Sequence, residues 1–328
     1  MRKLAGIVAA IAVVATAGCG GSDDDGAAGA AKVRYLTAFN AFGREAYAFV
    51  ALEKGYFREQ GLDVDIAIGA GSGENMAALA GGAADFAPVD STGYLLTKAT
   101  GKVSGITAVS AVQQKSMVGI MTLDGTGITE PKHLEGKVLG DQEGATTTIL
   151  FPTYAKLAKI DPAKVEIQPI SSGELPGALA AGKVDAIGQF VVGKPLIEKA
   201  AGGRTAVSLP FSDVLTDLYG HFLLTSDKLA TGQPELTRKF TTALLQGLDY
   251  ALTHPAEAGQ ILNKAQPETD ARVAAAELEI MAAYARGSAA TLGAIDEARV
   301  QRVLATLEGA GAIPAGKKPA DFLAPAPR

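Results

Sequence analysis

The chain has 328 residues, of which 20% are charged and 48% hydrophobic, with a formal net charge of −5 at pH 7 and a single cysteine. This mildly acidic balance, without a basic stripe, argues against a nucleic-acid partner, and one cysteine excludes an internal disulfide. Beyond the N-terminal segment no apolar run reaches the roughly 20 residues that a membrane-spanning helix needs.

Arg2 and Lys3, the apolar stretch Leu4 to Val14 and the small residues Thr16, Ala17 and Gly18 form the three zones of a signal peptide, 1–18. Cys19, directly after those small residues, resembles the cysteine of a bacterial lipobox, with Ala15 where that pattern usually has Leu. The resemblance implies a diacylglycerol-modified Cys19 as the mature N-terminus, at the outer face of the cell membrane. The alternative is an ordinary secreted chain with a stray thiol, a liability in an oxidising compartment. Residues 19–31 hold Asp23, Asp24 and Asp25 and no large apolar side chain, and read as the anchor and a flexible tether.

From Lys32 the chain alternates short β-rich runs with amphipathic segments, the pattern of α/β layers with mostly parallel sheets. Strands are expected at 33–39, 62–68, 84–89 and 103–109, with helices at 44–57 (ending near Gly55), 74–81 and 92–100. A second series places strands at 116–123, 137–141, 164–170 and 184–190, helices at 146–159, 173–182 and 194–201, and a last strand at 221–227. From Pro234 the periodicity is helical, with Pro234 and Pro255 as helix starts and Gly309 and Gly311 as a stop. Residues 314–328, rich in Pro, Ala and Lys, read as a loose tail. Periodicity does not separate a two-domain enzyme from a hinged binding protein.

The segment FVALEKGYFREQGLDVDI, followed in order by NMAALAGGAADFAPVD, LEGKVLG, LPGALAAGKVDAIGQF and LLQGLDYALTHPAEAGQIL, resembles the solute-binding proteins of the nitrate, sulfonate, taurine and thiamine-pyrimidine type over about 33–265. That resemblance implies a two-lobed periplasmic-binding-protein fold (type II), with lobe one at 32–112 plus 226–313, lobe two at 113–225, and hinges near Ser110 to Gln114 and Thr225 to Lys228. It further implies capture of a small molecule by lobe closure, and delivery to an ABC permease and, through it, an ATPase. A monomer is expected, with no cofactor and no metal. Gly55 and Gly61 read as helix and turn terminators, and Asp85 and Asp185 as turn residues opening strands.

Contacts in such folds come from loops at the carboxyl ends of strands. Here those loops offer Phe39, Asn40 and Phe42, Ser72, Asp90 and Ser91, Glu143, Thr146 and Thr147, Gln189 and Phe190, and His221, with Tyr47 from the following helix. Hydroxyls at helix starts either hold an anion or simply cap the helix. Seven of the 19 Phe and Tyr residues fall between Tyr35 and Phe57, and Phe39 and Phe42 on a loop ending at Gly43 suit a stacking wall, with Phe190 closing from lobe two. Arg44 is the one cation near these loops apart from Lys194, against Glu45, Glu74, Asp90 and Glu143. The balance favours an amino-bearing heteroaromatic such as a thiamine-precursor pyrimidine over a sulfonate, taurine or nitrate, with riboflavin a further alternative. Eukaryotic pyrimidine synthases share the implied fold, but their cysteine-rich motif is missing from this sequence. No nucleophile elbow, H-E-x-x-H or P-loop is present.

Overall fold

The structure, a computed structural model, describes residues 29–143, 145–287 and 291–325; the expected leader, Cys19 and most of the expected tether lie outside the described residues. The first lobe opens with β1 (Ala31–Leu36), whose register against β2 (Leu62–Ala67) is parallel. Between them run α1 (Ala46–Glu53) and α2 (Tyr56–Glu59). Gly55 separates these helices at a φ of 81°, a left-handed turn that glycine enters without a Cβ penalty. Next come α3 (Ser72–Ala80), β3 (Phe86–Asp90), α4 (Ser91–Ala99) and β4 (Ile106–Ala111). The second lobe holds β5 (Val118–Leu123), β6 (Val138–Asp141), α5 (Thr146–Leu157), β7 (Glu166–Pro169), α6 (Leu175–Ala180), β8 (Ala186–Phe190), α7 (Lys194–Ala200) and β9 (Ala206–Pro210). The chain returns through β10 (His221–Ser226) and ends in α8 (Asp227–Gly232), α9 (Pro234–Thr253), α10 (Pro255–Ala265), α11 (Ala271–Arg286) and α12 (Glu297–Gly309).

Two five-stranded sheets result, ordered β2-β1-β3-β10-β4 and β7-β6-β8-β5-β9. Each contains four strands that run in the same direction and one strand that arrives from the other lobe and pairs antiparallel with both neighbours: β10 in the first sheet and β5 in the second. The matching turn residues play matching parts. Asp85 accepts the backbone N–H of Arg34 at 2.8 Å, and Asp185 that of Val138 at 2.9 Å, tying adjacent strands together.

The core of the first lobe forms around Phe240 of α9, whose ring stacks 4.1 Å from Phe86 and 5.3 Å from Phe57. Phe240, Leu244, Leu248 and Ala251 repeat at helical spacing and are all buried. In the second lobe Tyr154 of α5 stacks 4.0 Å from Phe211.

Three expectations are corrected. His221–Ser226 is not the last strand of the second sheet; it lies inside the first, between β3 and β4, so the second crossover precedes His221 rather than falling near Thr225. Its buried apolar side chains suit a central strand of either sheet, and only pairing assigns it. The edge strand β9 has no counterpart among the expected elements. The segment after Ile313 is not loose up to Pro325: Phe322 is buried, Leu323 bridges to Ala108, and the Phe322 carbonyl accepts from the N–H of Ala108 at 2.9 Å and the Tyr94 hydroxyl at 2.7 Å.

Candidate functional site

A cleft of about 390 Å³ opens where the strand ends of the two sheets face each other. The first lobe brings Phe39 from the loop after β1, the Gly71–Glu74 entry into α3, Arg44, and His221 at the start of β10. His221 belongs here because β10 runs antiparallel, which places its first residue opposite Asp90, the last of β3. The second lobe brings Asp141 at the end of β6, Thr146 and Thr147 at the start of α5, and Gln189 and Phe190 at the end of β8.

Of the residues expected at the site, Phe39, Ser72, Thr146, Thr147, Gln189, Phe190 and His221 line this cleft. Several hydroxyls are already engaged: Ser72 Oγ accepts the Asp90 N–H at 3.1 Å, and Thr147 Oγ1 donates to the Asp141 carboxylate, which also receives Thr148 Oγ1 at 2.8 Å. Gln189 Oε1 accepts the Phe190 N–H at 2.8 Å.

The remaining expected residues stand elsewhere. Tyr47 is a core residue, 1% exposed, with its hydroxyl 3.0 Å from that of Tyr35. Ser91 donates to the Tyr219 carbonyl at 2.9 Å and is buried. Asp90 caps α4 by accepting the Gly93 N–H at 2.9 Å, and burial pushes its carboxyl up to about 6 although Thr146 from the other lobe hydrogen-bonds to it. Asn40 is exposed at a φ of 53° and Glu143 is exposed outside the cleft. Phe42 backs the wall, its ring 5.9 Å from Phe39 and 4.7 Å from the Arg44 guanidinium.

Arg44 is the cleft-lining side chain that the sequence leaves in the background. It is the one Lys or Arg among the described residues lining the cleft, it is 5% exposed, and its Nε has no hydrogen-bond partner. Its guanidinium lies 4.7 Å from the Phe42 ring of the first lobe and 5.4 Å from the Phe190 ring of the second. Two buried carboxylates compensate it: Glu45 Oε1 stands 3.6 Å from Arg44 Nε, and Glu277 of α11 accepts the Arg44 backbone N–H at 3.3 Å. Burial pushes Glu45 up to about 7 against the pull of Arg44, and burial raises Glu277 as well. His221, also buried, is driven down to about 3 by desolvation and then by Arg44, so its imidazole is neutral at pH 7, with Nδ1 unpartnered.

Phe190 closes the arrangement from the second lobe, its ring 5.6 Å from His221 in an edge contact and over Arg44 on the other side. A further interlobe pair, Lys199 to Asp270 at 3.4 Å, lies on the surface. The cleft therefore offers one shielded cation, one neutral imidazole that donates from one nitrogen and accepts at the other, and aromatic faces from both lobes. No group of three or more His, Cys, Asp or Glu side chains that could hold a metal occurs among the described residues, and no helix there is long and apolar enough to cross a membrane.

The family model described as NMT1/THI5 like matches residues 45–258. The formylaminopyrimidine-binding protein of Halalkalibacterium halodurans is 23% identical over 225 residues, 68% of this chain and 67% of that protein. A 4-amino-5-hydroxymethyl-2-methylpyrimidine phosphate synthase of Saccharomyces cerevisiae is 27% identical over 226 residues, 64% of each chain. The chain thus spans about two thirds of the length of these relatives. In three dimensions it resembles the periplasmic aliphatic sulphonate-binding protein of Escherichia coli, with a TM-score of 0.71, 14% identity, and coverage of 89% of this chain and 91% of that one. The fold is that of the two-lobed periplasmic binding proteins.

Proposed function

The chain belongs to the NMT1/THI5-like family, and on that premise we propose that it is the extracytoplasmic solute-binding component of an ABC importer, which captures a flat, uncharged heteroaromatic of the thiamine-precursor pyrimidine class and hands it to a permease. One observation carries the reading. Phe190 of the second lobe shuts on Arg44 and His221 of the first, so aromatic rings and neutral hydrogen-bonding groups from both lobes meet around one small cleft. Its volume of about 390 Å³ stands at the low end for ligand pockets and suits a single ring with short substituents better than a flavin.

Charge decides against the anionic alternatives. A sulfonate or nitrate entering a dry cleft needs a cation that is not already balanced, whereas Arg44 faces the Glu277 carboxyl and a Glu45 that is partly ionised at pH 7, both in its own lobe. A pyrimidine asks for less: an acceptor for Arg44 Nε, a partner for His221, and a π-face for Phe39 or Phe190.

Capture rather than turnover is favoured because the depressed, buried His221 is poorly suited to proton transfer near neutral pH, and because the one cysteine of the sequence is Cys19. That thiol serves as the lipid anchor in this reading, keeping the binding domain beside its permease at the outer face of the cell membrane. Calorimetric titration of the mature protein with formylaminopyrimidine, an alkanesulfonate and nitrate tests the ligand class. Tight sulfonate binding with no pyrimidine response would overturn it, and mass analysis of the N-terminal peptide from cells would overturn the anchor if Cys19 were unmodified.

A further inference from the structure

We infer that Arg299 is the clasp that ties both interlobe crossovers to the first lobe and thereby decides where the lobes bend. The crossovers run from β4 to β5, residues 112–117, and from β9 to β10, residues 211–220. Arg299 stands in the first turn of α12. Its Nη2 donates to the Gln114 carbonyl at 2.6 Å in the first crossover and to the Leu218 carbonyl at 3.1 Å in the second, while its Nε donates to the Asp217 carbonyl at 2.8 Å. The guanidinium lies 3.9 Å from the centre of the Tyr219 ring.

One planar cation therefore satisfies three carbonyls on two chain segments while stacking on a fourth residue, a geometry that a lysine ammonium cannot reproduce. The Tyr219 hydroxyl accepts the Asp296 N–H at 2.9 Å and holds the same face to the start of α12. The crossovers also pair with each other, the Ser116 N–H donating to the Leu218 carbonyl at 2.9 Å, so they bend as a unit. Beyond the clasp the Lys115 N–H donates to the Tyr284 carbonyl of α11 at 2.9 Å and its side chain meets Asp213 at 3.1 Å as an exposed pair, while a cavity of about 400 Å³ between Thr216, Asp217 and Arg299 itself leaves room for movement. A hinge needs only a few residues to absorb the change in φ and ψ. With Gln114, Lys115, Asp217 and Leu218 held on the first-lobe side and Phe211 stacked on Tyr154 in the second lobe, residues 116–117 and 212–216 are those residues. The clasp touches nothing in the cleft, yet the pinned segment runs through Gly220 directly into His221.

This inference rests on the reading that ligand is held by lobe closure. Small-angle X-ray scattering of the ligand-free full chain tests it for wild type, Arg299→Ala, Arg299→Lys and Arg302→Ala. Without the clasp the ligand-free protein should scatter as a wider, more open particle, and affinity for formylaminopyrimidine should fall about tenfold, within the range common for couplings between distant sites. Arg302→Ala should open the particle less than Arg299→Ala, because Arg302 holds only the second crossover, through the Asp217 carboxylate at 2.9 and 3.0 Å. Scattering of Arg299→Ala identical to wild type overturns the proposal. If that variant does not fold, Arg299→Lys decides, with a partial opening expected and an unchanged profile refuting it. Failure of formylaminopyrimidine to compact the wild type would refute the ligand reading alone, since the ligand-free comparison still judges the clasp.

Discussion

Phe190→Ala removes the one ring of the second lobe that meets both Arg44 and His221. Its cation–π contact with Arg44, at 5.4 Å, is worth about 0.5–2 kcal/mol depending on desolvation. The edge contact with the His221 ring at 5.6 Å adds about 0.5–1.5 kcal/mol. Both contacts cross the cleft, so opening the lobes breaks them and the loss falls on the closed, ligand-holding state. About 1–3.5 kcal/mol is therefore withdrawn from binding, and the dissociation constant for formylaminopyrimidine should rise by roughly 5- to 300-fold. The urea midpoint should move less than the affinity, because Phe190 is only partly buried at the end of β8, at the margin of the core. Calorimetric titration and urea unfolding on the same preparations measure the two quantities. An unchanged dissociation constant, or a loss of affinity matched by an equal loss of stability, would refute the closure argument.

The folded protein binds a proton at Glu45 up to about pH 7, whereas the unfolded chain releases it near the ordinary Glu value of about 4.3, so this group stabilises fully at low pH and loses its contribution as pH rises through 7. Relative to Glu45→Gln, wild type should lose about 3 kcal/mol between pH 4.5 and 7.5 in urea melts; a pH-independent difference would contradict the assignment. Glu277→Gln removes one of the two carboxylates that balance Arg44, and should raise affinity for an alkanesulfonate relative to formylaminopyrimidine in competition titrations. Phe322→Ala empties a buried site against Tyr94 and should cost about 3 kcal/mol in thermal unfolding, which a loose tail would not show. Gly188→Ala should weaken binding, because a Cβ there collides with the Asp141 carboxylate in the cleft floor.

Much of the fold is legible because each strand carries its own signal. Leu62–Ala67 alternates apolar and acidic residues, and its buried and exposed positions follow that alternation from Leu62 through Asp65. Local pattern does not carry sheet membership. The buried run Phe222, Leu223 and Leu224 would be equally at home in either lobe, and only the antiparallel register with Pro88 and Ser110 places it. The strand Ala206–Pro210 is short, interrupted by Ser208 and ended by proline, so it offers little periodicity to read. Phe322 is a single apolar residue among Pro, Ala and Lys, and its docking depends on the unpaired edge of β4, some 215 positions earlier in the chain.

The site divides along the same line. Aromatic loop residues are visible in the sequence, and Phe39 and Phe190 do line the cleft. The hydroxyl-rich helix starts are visible too, but Ser72 is engaged with the Asp90 backbone and Thr147 with the Asp141 carboxylate, and neither caps its own helix. What no local window contains is the electrostatic balance of Arg44. Its compensating carboxylates are its sequence neighbour and a residue 233 positions away, brought together by the docking of α11 on the first lobe. A count of charges near the loops shows few cations and many carboxylates, without showing that the cation is offset by two buried carboxyl groups out of reach of water. Burial makes that cancellation consequential, since an exposed trio would be screened to near irrelevance. The preference proposed here for an uncharged ring thus rests on packing depth at Arg44, Glu45 and Glu277 more than on the composition of the loops.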